Sequence, residues 1–470
     1  MALEATPGFD LQPSAKQVPL KTNYISDFDF LNQYLPDTYE REFSKYGNRT
    51  LSGFLRTTGA EMPFQSDLIK WTEEGRLHIK YTDLSTPASA AADTATFTVN
   101  DAAVTGTIAI RKGQTVMLYD NAGTGGSGKA IVTDVDYTAG TFDVAFYEAG
   151  GLFVAGSGNT FSVFIYGSEF KKGTNGMEES VEAETNFLDN TPIILKDKYA
   201  VSGSDMAQIG WVKVDTDNGA GYLWFMKSKH DARLRFDDYL ETSMIEAVPA
   251  EAGSGAIAAT GDVGNKGSKG LFYEIDNRGN IWSAGNPDTL AEWDTVVGRL
   301  DKQGAIEENT LFVDRDMSFA IDDMLAAQNN FGSSGASFGV FENDRDMALN
   351  LGFTGFRRGY DFYKTEWKYL NDPTARGGMS NTVGSGKVNG VLVPCGSKNV
   401  YDEVLGQNAT RPYLHVRYRE SKAENRKYKT WLTGSAGGAS NSDLDAMEMH
   451  FLSERALCTL GANNFMKFNA

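Results

Sequence analysis

The sequence predicts an α+β chain built from several units, and three observations predict it. Residues 219–248 carry one long helical repeat. Residues 94–167 are a run of short alternating segments separated by Gly-bearing turns, and residues 285–410 alternate helix and strand. A chain of 470 residues has room for roughly 2–4 such units.

Residues 1–35 are polar, with scattered aromatics (Phe9, Tyr24, Phe28, Phe30, Tyr34) and no sustained period. They read as an extended arm, which must dock on something because free aromatics in a tail invite aggregation. A short helix follows, with Asp37 placed to cap it after Pro36. Strand signals then end in Leu77–Thr82, and the small-residue run 85–94 reads as a linker. The module at 94–167 contains Thr96–Val99, Thr107–Ile110, Thr115–Tyr119, Ala130–Tyr137, Thr141–Tyr147 and Phe161–Ile165. Ile131, Thr133, Val135 and Tyr137 share one face, the period-2 mark of a half-buried strand. About six such strands make a small β-barrel or sandwich. A charged, strand-like texture resumes at Gly167–Lys198, so the module reads as an insertion.

In the helical segment Leu223, Met226, His230, Leu234, Asp237, Leu240 and Met244 step by three or four, with Phe236, Tyr239, Ser243 and Ala247 as a second stripe. Asp231/Arg235 and Arg233/Asp237 stand at ion-pair spacing, and Pro249 stops the helix. At 1.5 Å per residue its length would be about 45 Å, a strut. A Gly/Ala/Ser loop at 253–270 leads to a strand at Leu271–Ile275. Next comes a helix with Leu290, Trp293, Val297 and Leu300 inward, capped by Asn286, with Pro287 at its first position and Gly304 past its end. A buried strand Thr310–Val313, a helix Met317–Gln328, an apolar strand Val388–Pro394 and a short helix Tyr401–Leu405 complete the pattern.

Composition narrows the function. Lys+Arg total 44 against Asp+Glu 62, a net charge of -18, which opposes gripping a polyanion or an anionic membrane surface. No stretch approaches the ~18 continuous apolar residues of a membrane helix, and no secretory leader is visible, which implies a cytoplasmic product. Four His and two Cys leave little for metal or thiol chemistry. Cys395 and Cys458 sit in apolar strand-like contexts and read as small core residues. No cofactor and no metal are expected.

Gly123–Ala130 matches both G-x-G-x-x-G and G-x-x-x-x-G-K. A phosphate loop needs a helix after it and a hydroxyl where Ala130 stands; a strand follows here, so a hairpin is expected. His78 on a strand, His230 on the long helix, and His450 four before Glu454 lack partners at metal spacing. Asp314/Asp316 and Asp344/Asp346 recur as Asp-Arg-Asp-Met, fitting caps or ion pairs better than acid–base catalysis. No catalytic set can be assembled. Residues 411–430 run against the acidic whole: Arg411, Arg417, Arg419, Lys422, Arg426, Lys427 and Lys429 face only Glu420 and Glu424, leaving +5. A contact with an acidic surface of a neighbouring copy is favoured over a nucleic-acid contact or a solvated edge. With Trp71, Phe9 and Phe28, these bases are the candidates for inter-subunit contact.

The order of arm, strand pair with β insert, strut helix, α/β unit and closing strand resembles the Hong Kong 97-type major capsid proteins of tailed bacteriophages. Locally, Gly221–Glu241, Pro192–Tyr199 and Ser453–Phe465 resemble capsid proteins of crAss-like and related Bacteroidetes-infecting phages. The resemblance implies an N-arm at 1–50, an E-loop region at 51–93 and 168–200, and the inserted β-domain at 94–167. It further implies a P-domain at 201–284 and 436–470 with its spine helix, and an A-domain at 285–435. It implies self-assembly into pentamers and hexamers of an icosahedral head around double-stranded DNA, put together in the host bacterial cytoplasm. Implied partners are further copies of the chain, a portal protein, a scaffolding protein, decoration or head-fibre proteins, and the packaged DNA by weak contact; no membrane is implied. An encapsulin-like cargo shell and an acidic β-rich surface adhesin are the alternatives.

Overall fold

The computed structural model describes residues 51–469 except 52, 56–59, 86–92, 101–107, 122–125, 150–159, 178–184, 208–213, 217–218, 222–223, 259–264, 305, 328–353, 379–385, 403–406 and 439. The expected arm with Phe9 and Phe28, the short helix at Asp37 and the Asp344/Asp346 pair lie outside the described residues. The chain divides into two compact units.

The first unit takes Met1–Gly53, Ile194–Thr242 and Asn425–Ser453. Its core joins Ala232, Phe236 and Leu240 of the long helix to Phe451, with Leu195, Tyr199, Tyr428 and Met449 packed against them. Phe236 stacks on Phe451 at 5.5 Å and meets Tyr428 edge-on at 5.3 Å. The helix spans Trp224–Glu246, 23 residues, so about 34 Å long. It is shorter than the expected 219–248 because Gly219–Gly221 pairs as a strand with Val214–Thr216, and Gly is a poor helix former. The two expected stripes also merge differently. Phe236 joins Leu240 and Met244 on the buried face, while Tyr239 is exposed. Arg235 forks onto Asp197 at 2.9 and 3.0 Å. Leu51 and Gly53 donate their backbone N–H groups to Asp238 and Glu241, tying the start of the described chain to the helix.

The second unit holds Phe54–Ile193, Ser243–Glu424 and Glu454–Ala470. It begins with β1 (Ala60–Phe64) and β2 (Ile69–Glu74). A closed barrel follows, made of β3 (Lys80–Ser85), β4 (Thr94–Val99), β5 (Gln114–Asp120), β6 (Ser127–Asp136), β7 (Thr141–Phe146) and β8 (Phe161–Ser168). The neighbours around it run β3-β4-β7-β6-β5-β8. The chain then returns through β9 (Thr185–Asn190), antiparallel to β2. Leu84, Phe97, Val116, Leu118, Val132, Phe142, Val144, Phe161 and Val163 fill the barrel. The barrel therefore starts at Lys80, upstream of the expected 94–167. Of the expected strand at 107–110, the described residues 108–110 form no strand, although Ile108 and Ile110 are buried in the core. β3 supplies the sixth strand.

A six-stranded mixed sheet carries the rest of this unit, in the order Asn280–Trp282, Met466–Asn469, Val388–Pro394, Glu308–Val313, Tyr360–Glu366, Gly355–Arg358. One face packs on Trp293, Val296 and Leu300 of helix Leu290–Gln303 and on Met317, Ile321, Met324 and Leu325 of helix Arg315–Ala327. On the other side Phe312 meets Phe54 edge-on at 4.6 Å, and Phe54 stacks on Trp367 at 4.5 Å. Val388–Pro394 is buried at every position, which explains its largely apolar text, Asn389 being its polar residue. Three expectations are corrected. Thr289, not Asn286, caps helix Leu290–Gln303, in a capping box with Glu292, while Asn286 accepts from Asn389 at 2.6 Å. Gly304 ends that helix in the left-handed region at φ 85°. Leu271–Arg278 is a helix, not a strand. Tyr401 lies in the strand Ser397–Asp402, paired with Gln407–Pro412, rather than in a helix. Both cysteines are free thiols, Cys458 buried and Cys395 beside Thr310 Oγ1 at 2.8 Å.

Candidate assembly surfaces

The β2/β9 ribbon has one face down and one face out. Downward, Ile69 and Trp71 join Phe64, Ala456 and Cys458. Glu73 accepts from Trp71 Nε1 at 3.1 Å and from the Gly461 N–H at 2.9 Å, and pairs with Arg278 at 3.0 Å. At the other end Asn190, 1% exposed, bonds at all its polar atoms. It donates to the carbonyls of Leu457 (2.6 Å) and Lys269 (2.9 Å), and accepts from Thr191 N, Ser268 Oγ and Lys269 N. A lone two-stranded ribbon is marginal in water, so these fasteners hold it in place. The inward face makes the ribbon a strap on its own unit. Outward, Phe187 lies opposite Thr72 and is 76% exposed, and Leu77, just past β2, is 82% exposed. These are the most exposed large hydrophobic side chains among the described residues. Alternation alone gave Phe187 no special standing, because period 2 says which residues share a face and not which face is covered.

The expected inter-subunit bases fall in both units. Arg411, Arg417, Arg419 and Lys422 belong to one unit, and Arg426, Lys427 and Lys429 to the other. Arg417 donates to the Pro63 carbonyl at 3.0 Å. Arg419 pairs with Glu454 at 2.9 Å and with Asp67, and lies over the Phe64 ring. Its guanidinium holds the Asp67 carboxyl below the usual range. Arg417 and Arg419 are thus spent within their own unit, joining segments far apart in sequence. Lys422 and Lys429 are exposed, Lys429 lying 5.8 Å from the Trp431 ring. Trp431 stacks on His450 at 5.0 Å, and His450 meets Thr433 Oγ1 at 2.8 Å. Trp71, the aromatic candidate among described residues, is half-buried against its own unit.

The chemical motifs resolve into structure. Residues 123–125 lie outside the described residues, but Ser127–Ala130 open β6, which pairs antiparallel with β5, so a strand stands where a phosphate site requires a helix. Asp314 caps helix Arg315–Ala327 through the Met317 N–H at 2.8 Å and pairs with Lys387 at 3.2 Å. Burial pushes its carboxyl up, opposed by that N–H and by Lys387. Lys387 also reaches Asp316 at 3.1 Å. His78 lies in an exposed loop, not on a strand. Among the described residues no group of three or more His, Cys, Asp or Glu side chains is placed to hold a metal, and no helix is long and apolar enough to cross a membrane.

No family model and no curated protein matches the chain. Among solved structures it is similar to one from Microbacterium phage Oxtober96, at 10% identity over 94% of this chain and 97% of that one, TM-score 0.41. One from Gordonia phage Cozz is 10% identical over 99% of both chains, TM-score 0.39. The capsid of an empty GTA particle is 9% identical over 94% and 97%, TM-score 0.40.

Proposed function

We propose that the chain is a major capsid protein that assembles as pentamers and hexamers into an icosahedral phage head enclosing double-stranded DNA. The observation that carries this reading is the strapped ribbon, fastened inward by Glu73 and Asn190 while presenting Phe187 to water, with Leu77 exposed in the loop just past β2. Large apolar side chains exposed on a rigid element mark a surface awaiting a neighbour. In this reading the ribbon and residues 51–93 and 168–200 form an E-loop lying over the next copy. Helix Trp224–Glu246 is the spine of the P-domain, and the six-stranded sheet is the centre of the A-domain. The role is structural rather than enzymatic, and the location is the virion. The net charge of -18 suits a wall that confines DNA without gripping it. A portal, a scaffolding protein and decoration or head-fibre proteins are the further partners of such a shell. Size-exclusion chromatography with electron microscopy, with and without a scaffolding protein, tests the reading. Closed shells are expected; a monomer under every condition overturns it. Shells that carry protein cargo and no DNA when isolated from infected cells would favour the encapsulin-like alternative.

A further inference from the structure

We infer that the outer wall of the inserted barrel carries a binding site for a neutral oligosaccharide, centred on Tyr166, Phe164 and Tyr147. Phe164 and Tyr166 alternate outward on β8, and Phe164 pairs across to Met117 of β5 and Lys80 of β3. Met117 pairs in turn with Lys129 of β6, whose carbonyl accepts from the Tyr147 N–H at 3.1 Å. The three rings therefore form one surface, exposed by 37%, 47% and 48% for Phe164, Tyr166 and Tyr147. Its rim is polar and of both signs. Lys129 Nζ lies 6.0 Å from the Tyr166 ring, and the Tyr147 hydroxyl donates to Glu169 at 2.6 Å. Lys80 Nζ stands 5.4 Å from the Tyr119 ring.

The occupant follows from size and charge. At 150–250 Å² per aromatic side chain the three expose about 300 Å² together, well short of the ~800 Å² per partner of a stable protein interface. A sugar or two fits that area. Residues 80–170 hold four basic side chains against nine acidic ones, a net of -5, which repels a nucleic-acid strand despite the stacking rings. A pyranose offers flat C–H faces for the rings and hydroxyls for Lys129, Glu169 and the tyrosine oxygens. The rings are held by a closed barrel, so little ordering cost opposes binding.

The full-length chain is titrated with maltohexaose, cellohexaose, mannohexaose, xylohexaose and poly(dT), using saturation-transfer NMR and calorimetry. At least one hexasaccharide binds, and Tyr166→Ala weakens it roughly tenfold or more, the scale of losing one stacked ring. Tyr137→Ala serves as the control, because Tyr137 lies eight residues along from Lys129, about 26 Å in a strand. It leaves binding unchanged, and circular dichroism of all variants matches the parent. Binding to none of the hexasaccharides at millimolar concentration overturns the site. So does undiminished binding in the Tyr147→Ala/Tyr166→Ala double variant, or preferential binding of poly(dT).

Discussion

The barrel and the ribbon that flanks it in sequence are made of similar antiparallel strands, yet they are stable for different reasons. In the barrel every strand pairs on both edges and the inward residues form a dry apolar core, with Phe97 between Phe142 at 5.8 Å and Phe161 at 5.7 Å. The ribbon has two strands and two open edges, and only its inward face is covered. It depends on polar fasteners, Glu73 at one end and Asn190 at the other. Closure makes a β unit self-sufficient, whereas an open ribbon borrows stability from what it lies on. The barrel can therefore stand alone, while the ribbon depends on the surface it lies on.

The comparison can be broken from either side. Phe97→Ala removes a fully buried ring from the barrel, and a loss of about 3–5 kcal/mol is expected by denaturant unfolding. A loss under about 1 kcal/mol would mean the barrel is not packed as a core. Asn190→Ala strands the Leu457 and Lys269 carbonyls and two N–H groups at the ribbon's base, for about 2–3 kcal/mol in the same assay. Replacing Lys80–Ser168 with a Gly/Ser linker leaves the rest of the chain unfolding cooperatively if the barrel stands alone. Loss of that transition would make the barrel part of the remaining core.

A smaller effect comes from pH. Burial and the Glu169 carboxylate push the Tyr147 hydroxyl up to about 12. The folded chain holds this proton more tightly than the unfolded one, whose tyrosine titrates near 10. The contribution is whole below pH 10 and fades as pH climbs towards 12. Spectrophotometric titration should find this late tyrosine, and Glu169→Gln should bring it down. The smallest change in monomer stability is expected from Phe187→Ser, within about 0.5 kcal/mol because the ring is solvated. The same substitution should block assembly, which light scattering reads.

Much of the barrel was legible because closed sheets leave a period-2 trace, seen in Ala130–Tyr137. β3 was read only as far as Thr82 and left outside the module, because its register shifts between Tyr81 and Leu84, which breaks the alternation. Met317, Ile321, Met324 and Leu325 were legible as a helix face, and Val388–Pro394 as a buried strand. Leu271–Ile275 was misread since a short apolar run looks alike in either state. The surfaces were less legible. Arg419 reads as a free base in its own segment, and only the fold brings Asp67 and Glu454 to it. Phe187 reads as an ordinary strand residue until the covered face of the ribbon is known.

The most direct measurement is a high-resolution electron-microscopy reconstruction of particles formed by the full chain. The shell account predicts pentamers and hexamers in which the outward ribbon face with Phe187, and Leu77 in the loop past β2, are covered by a neighbouring copy. Particles in which that face stays open to solvent, or no closed particles at all, would contradict it.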